Sequence, residues 1–214
     1  VEGGGRAAGY FTGAPGLTAY RGDLLPAEMR ECLIVGDAGG NLVHREKLTA
    51  SGPFLEARRI DEKSEFVTSD DIWFRPAQFA NAPDGALYII DVYREVIEHP
   101  QSLPPVIKSQ LDLTSGSDRG RLYRVVPQSF TPRPRPSLGT ASTADLVATL
   151  SHRNGWHRDT AARLLYERQD MAAVPELEKL VREGTLPEGR MHSLYALESL
   201  GRLSVATLLT ALDD

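Results

Sequence analysis

The stretch Trp73-Phe74-Arg75-Pro76-Ala77-Gln78-Phe79-Ala80-Asn81-Ala82-Pro83-Asp84-Gly85-Ala86-Leu87-Tyr88-Ile89-Ile90-Asp91 decides the fold. An aromatic-arginine cluster leads into a first strand. Pro-Asp-Gly then supplies the special backbone angles of a reversal, and an apolar strand follows and ends in Asp91. The design has an earlier copy. Leu33-Ile34-Val35-Gly36-Asp37 has the same apolar-x-apolar-x-Asp form as Leu87-Tyr88-Ile89-Ile90-Asp91, and Gly40-Asn41-Leu42-Val43-His44-Arg45 answers to Gly120-Arg121-Leu122-Tyr123-Arg124-Val125. In the second copy residues 92–119 are inserted between the two halves. Repetition of a glycine-punctuated strand unit is the signature of radial β architectures, so residues 1–126 read as blades of a β-propeller. Two unrelated hairpins of a sandwich are the alternative.

Two copies cannot close a ring of about four to eight blades, so the expectation is a partial propeller and a chain that is part of a longer one. The hydrophobic share of 41% beside 25% charged residues is that of an ordinary globular protein, with enough apolar material for one or two cores. A net charge of -5 argues against a nucleic-acid partner. No apolar run approaches the roughly 18 residues of a membrane helix, and no secretory signal is visible. The single Cys32 rules out an internal disulfide, a zinc knuckle or a Cys-x-x-Cys-His haem site within this segment, and its place before an apolar strand predicts a small buried side chain.

Composition changes after residue 126. Pro127-Gln128-Ser129-Phe130-Thr131-Pro132-Arg133-Pro134-Arg135-Pro136-Ser137 alternates proline with polar or basic residues, which favours an extended linker, placed at 127–141. From 142 to 214 the period becomes helical. Ser142-x-x-Asp145 and Thr185-x-x-Glu188 are capping-box patterns, and Val174/Leu177/Leu180/Val181 and Val205/Leu208/Leu209/Leu212 form apolar stripes. Residues 158–165 can be laid over 190–197 at a spacing of 32, which predicts HEAT-like helical repeats, with a plain bundle as the alternative. The fold class expected is therefore partial β-propeller blades followed by HEAT-like α-helical repeats. His152, His157 and His192 have no carboxylate or cysteine at ligand spacing and read as surface or cap residues, so no metal site is assigned.

The motifs Tyr20-Arg21-Gly22-Asp23, Gly40-Asn41-Leu42-Val43-His44-Arg45, Trp73-Phe74-Arg75-Pro76, Tyr93-Arg94-Glu95-Val96-Ile97-Glu98-His99-Pro100 and Asp118-Arg119-Gly120-Arg121-Leu122-Tyr123-Arg124 resemble a family. They look like the last blades of the glucose/sorbosone dehydrogenase type of six-bladed propeller, and most closely like the large membrane-bound dehydrogenases of planctomycetes and verrucomicrobia. The resemblance covers about residues 10 to 126, and the helical remainder more loosely. It implies an extracytoplasmic oxidoreductase, periplasmic or associated with the cell envelope, that oxidises sugars or related alcohols and passes electrons to a cytochrome. Haem is expected only in a domain outside this segment. The quinone-dependent relatives hold pyrroloquinoline quinone with an Arg-x-Arg-Asp segment before the Asp-Gly turn, and Arg75 matches the first arginine. The second falls at Ala77, the aspartate at Gln78, and the lysine of the preceding turn near Gly39. Arg75 is thus the one cofactor contact carried over, with bracing of Trp73 and a neighbouring strand as its alternative role.

No catalytic base is assigned. His44 and His99 could each be proposed, as could Asp70-Asp71 and Glu95/Glu98 for calcium, but a hard cation needs six to eight oxygens and no such spacing is present. The inserted residues 92–119, with a short helix expected from Pro104 or Pro105 through Leu111, form a connection long enough for a lid or binding loop, or for docking the helical repeats. Trp73, Asp91, Tyr93 and Arg94 are accordingly the substrate-binding candidates beside Arg75. The competing functional expectation is a non-catalytic propeller-plus-repeat module that binds carbohydrate or protein.

Overall fold

The computed structural model describes residues 11, 13–30 and 32–212. They form antiparallel sheets and six α-helices divided between two compact units. No closed barrel or propeller ring is formed by the described residues. The first unit gathers residues up to Tyr20, Leu25–Asn81 and Ala86–Gln128, and the second gathers Arg21–Leu24, Ala82–Gly85 and the chain from Ser129 onward.

The first unit holds two sheets. One has the order β1 (Thr18–Ala19), β2 (Cys32–Asp37), β3 (Leu42–Ser51), β4 (Phe54–Arg59), with β5 (Val67–Thr68) also on β3. The ten-residue β3 pairs with β2 over its first half, while its other side takes β5 at Leu42 and Val43 and β4 from Glu46 to Ser51. The other sheet has the order β6 (Pro76–Asn81), β7 (Leu87–Asp91), β8 (Arg121–Val125). Both copies of the sequence design are therefore antiparallel hairpins. The inserted residues join β7 to β8 without breaking their pairing, which runs from Leu87↔Val125 to Asp91↔Arg121. Their helix, α1 (Pro105–Lys108), starts at the expected proline but ends earlier than the sequence suggested.

Alternation decides what is buried. Cys32, Ile34, Val43, Phe79, Leu87 and Ile89 point inward and form one core with Tyr20, Met29 and Phe74. Cys32 is a buried thiol whose Sγ donates to Glu28 O at 3.1 Å. His44 and Arg45, neighbours on β3, are both tied down. His44 Nδ1 lies 2.7 Å from Glu65 Oε2, and Arg45 makes a bidentate pair with Asp61 at 2.7 and 2.9 Å. Arg59 adds a contact to the Glu65 carboxylate, so the segment 60–66 is laced to the sheet by charge.

The second unit carries α2 (Thr143–Thr149), α3 (Gly155–Arg168), α4 (Val174–Glu183), α5 (Pro187–Ser199) and α6 (Val205–Leu212). The Ser142/Asp145 capping box forms with both reciprocal bonds. The one expected at Thr185 does not, because Pro187 opens α5 and makes Leu186 the N-cap. The 32-residue spacing is structural. Leu165 and Leu197 are both fully buried in one core, and Arg158 donates to His152 O at 2.7 Å just as Arg190 donates to Gly184 O at 2.7 Å. The stripe on α6 departs from expectation: Val205, Leu208, Leu209 and Leu212 are exposed, since no further helix covers them among the described residues.

Two short segments complete this unit. Asn154, the N-cap of α3, accepts from Trp156 N at 3.0 Å and donates to Ala82 O at 2.9 Å, while Gly155 N donates to Arg21 O at 2.8 Å. The Arg21 guanidinium grips Asp159 with two bonds of 2.8 Å, and His157 Nε2 lies 2.9 Å from Pro83 O. Gly85, at φ +84°, has no room for a side chain, since a Cβ would strike Asp23 Oδ1.

Burial holds His192 below the ordinary histidine value despite Asp159, and burial with the neighbouring His157 does the same to His152. A folded state that resists protonating these rings loses stability as pH falls below the unfolded value of about 6.5. The denaturation midpoint of the helical unit is expected to fall between pH 7.5 and 5.5, and the slope to flatten in His192→Gln. An unchanged slope in that variant would assign the pH dependence elsewhere.

Candidate functional site

The five residues singled out in the sequence meet at one place in the first unit. Asp91, buried at the end of β7, accepts through Oδ1 from Arg75 N and Tyr93 N, both at 2.8 Å. Tyr93 takes a left-handed backbone with φ +49°, a conformation that a non-glycine residue holds only when its surroundings demand it. Arg94 N donates to Trp73 O and Val92 N to Arg75 O, each at 3.1 Å, so the segments 73–75 and 91–94 stay paired beyond the irregularity at Pro76/Gln78. Asp91 Oδ2 is buried and has no hydrogen-bond partner among the described residues.

Arg75 is a brace. Its Nε donates to Arg94 O at 2.9 Å, Nη1 to Ala38 O at 2.7 Å and Nη2 to Glu95 O at 2.9 Å. Burial lowers its pKa, opposed by the nearby carboxylates of Asp91 and Glu98. A role toward a ligand would have to use the two N–H groups beyond those three. With Ala77 and Gln78 in place of the remaining charged contacts, these residues do not fit pyrroloquinoline quinone, whose carboxylates need several free cationic donors.

Above this knot lies an aromatic and charged surface. The Trp73 and Tyr93 rings are 5.5 Å apart, tilted by 56°, and the Arg121 guanidinium sits 3.5 Å over the Tyr93 ring. Arg121 Nη1 also reaches Tyr123 Oη at 3.2 Å and Asp71 Oδ2 at 3.3 Å. The Tyr123 hydroxyl contact raises the pKa of Arg121, and the bond from Trp73 N holds the Asp71 carboxyl below its usual range. The inserted segment folds back here: Arg94 donates to Thr114 O at 3.0 Å, and a Cβ on Gly116, at φ +84°, would collide with Tyr93 O. His99 is spent locally, with Nδ1 accepting from Gln101 N.

Three members of this site were not singled out in the sequence, and a fourth, Asp71, was considered there only for calcium. Asn41 donates to Ile72 O at 3.1 Å and Phe74 O at 2.6 Å and so positions the Trp73 segment, while Asp71, Arg121 and Tyr123 shape the surface. Asn41, Arg121 and Tyr123 stood in quoted motifs, but their partners lie up to 50 residues away in the chain. Beside the surface is a cleft of about 210 Å³ floored by Phe74, Ile89 and Val125, with Tyr123 as a wall and Thr68 and Ser69 at its rim. Phe74 and Tyr123 meet edge to face at 5.8 Å. A separate groove of about 360 Å³ in the helical unit, between Val147 and Leu180, has only Glu176, Lys179 and Glu183 as charged lining.

Fold and site together define a sheet-and-helix protein whose first unit presents a shelf of aromatic and arginine side chains. The chain belongs to the DUF7133 family, described as a domain of unknown function, whose model matches residues 2–129. No curated protein and no solved structure matches the chain.

Proposed function

We propose that this chain supplies a substrate-holding wall to an extracytoplasmic oxidoreductase that oxidises sugars or related alcohols and passes electrons to a cytochrome. In this reading the two sheets are blades of a propeller and the helix pairs are HEAT-like repeats. The observation that carries it is the Trp73/Tyr93 pair flanked by the Arg121–Asp71 ion pair, with Tyr93 held in place through its N–H by Asp91. Aromatic rings receive the apolar C–H face of a sugar, while a guanidinium and a carboxylate side by side offer donors and acceptors to neighbouring hydroxyls. Holding is the whole contribution assigned here: Arg75 braces the shelf, and the chemistry of oxidation is left to other parts of the protein.

The test uses indole fluorescence. The chain has two tryptophans, so Trp156→Phe leaves Trp73 as the reporter. Titration with pyranoses and linear polyols is expected to give saturable, millimolar binding, equivalent to about 4 kcal/mol. Tyr93→Ala should weaken it at least tenfold. The same substitution in the intact protein should raise the KM for dye-linked sugar oxidation. A flat response across the panel would sink the proposal.

A further inference from the structure

We propose that the outer edge of β8, together with the cleft beside it, is a docking site for an extended peptide that carries an apolar residue flanked by acidic ones. Three independent features converge there. First, β8 is the edge strand of its sheet, paired with β7 on one side and with no strand on the other among the described residues. An edge of this kind accepts an added strand through main-chain hydrogen bonds. The strand also keeps Leu122 and Tyr123 exposed, at 71% and 39%, where an edge guarded against pairing would be polar.

Second, the cleft lies along that strand. Tyr123 and Val125, two residues apart and so on one face of β8, line it together with Phe74, Ile89 and Thr68. At about 210 Å³ it falls below the roughly 300 Å³ at which drug-sized pockets begin, and it suits one leucine-sized side chain. Third, charge specifies the flanks. β8 carries Arg121 and Arg124 and no acid, and Arg121 lies on the same face as Tyr123, to which it is bonded. A side chain two residues from the cleft-filling one falls on that same face, so a peptide of the form Asp-x-Leu-x-Asp sets its leucine against the cleft and, whichever way the added strand runs, one of its acids against Arg121, the base on that face. Main-chain pairing supplies affinity without regard to sequence, and the cleft and Arg121 supply the selection.

The experiment is fluorescence anisotropy with labelled Asp-Thr-Leu-Thr-Asp and the full chain. Saturable micromolar to millimolar binding that weakens with salt is expected, with at least a tenfold loss when the central leucine becomes glycine. A peptide N-methylated on the amides of its pairing edge should also lose tenfold. Arg121→Glu should lose binding to the Asp peptide and gain it for Lys-Thr-Leu-Thr-Lys. If this variant misfolds by circular dichroism, the Lys peptide against the unaltered chain decides, since it should bind at least tenfold more weakly than the Asp peptide. Equal binding of the N-methylated peptide would overturn strand addition, and equal binding of Asp and Lys peptides would overturn the acidic specificity. A concentration-dependent dimer that excludes the peptide would overturn the partner in favour of a second copy of the chain.

Discussion

Leu197→Ala is expected to cost about 2–5 kcal/mol, the range for emptying a leucine site that cannot collapse. Leu197 is fully buried and shares a core with Leu146, Leu165, Leu177 and Val181, drawn from three other helices. A void there removes contacts from both helix pairs at once. Leu164, which occupies the equivalent position to Ala196 in the 32-residue spacing, is only partly buried, so Leu164→Ala should cost distinctly less. Urea denaturation followed by helical circular dichroism measures both. Equal costs would mean that the two helix pairs do not share one core.

Asp91→Ala should cost the first unit about 2–3 kcal/mol, a large effect for the loss of one polar side chain. It strands the N–H groups of Arg75 and Tyr93, and each unsatisfied donor costs roughly 1–3 kcal/mol when buried, less where water can reach it. It also removes the acceptor that holds Tyr93 in its left-handed conformation. Asp91→Asn retains an oxygen for both donors and should be milder, since the second carboxylate oxygen has no partner to lose. If Asn is as harmful as Ala, the charge beside Arg75 matters more than the two hydrogen bonds. Sheet unfolding by urea, read alongside the Trp73 signal in the Trp156→Phe background, separates these outcomes.

How far the sequence could be read follows from the range of the interactions. The hairpins were legible because Leu33, Ile34, Val35 and their counterparts alternate between turn residues, a local signal that pairing then obeys. Asp91 with Tyr93 was legible for the same reason, an aspartate bonding two residues ahead. Arg121 on Asp71, and Asn41 on the Phe74 carbonyl, were not, because nothing in either neighbourhood encodes a partner 50 or 33 residues away. The α6 stripe shows the converse. Periodicity reports that Val205, Leu208, Leu209 and Leu212 share a face, but not whether anything covers it. Thr185 failed as a cap for a local reason, since Pro187 fixes where the helix begins.

The helical unit borrows Arg21–Leu24 and Ala82–Gly85 from far upstream, and this sets the order of events during synthesis. Those tetrapeptides leave the ribosome long before the helices that bond them, so Asn154 and Asp159 arrive last at contacts whose other halves are already waiting. A gene cut before Ser129 would encode every helix from α2 to α6 and still omit the acceptors of the Asn154 side chain and the arginine clasping Asp159. Expression boundaries drawn at the proline-rich segment would therefore amputate part of the unit they are meant to isolate. Helices expressed from such a gene should recover the lost order only when the upstream piece is supplied in trans.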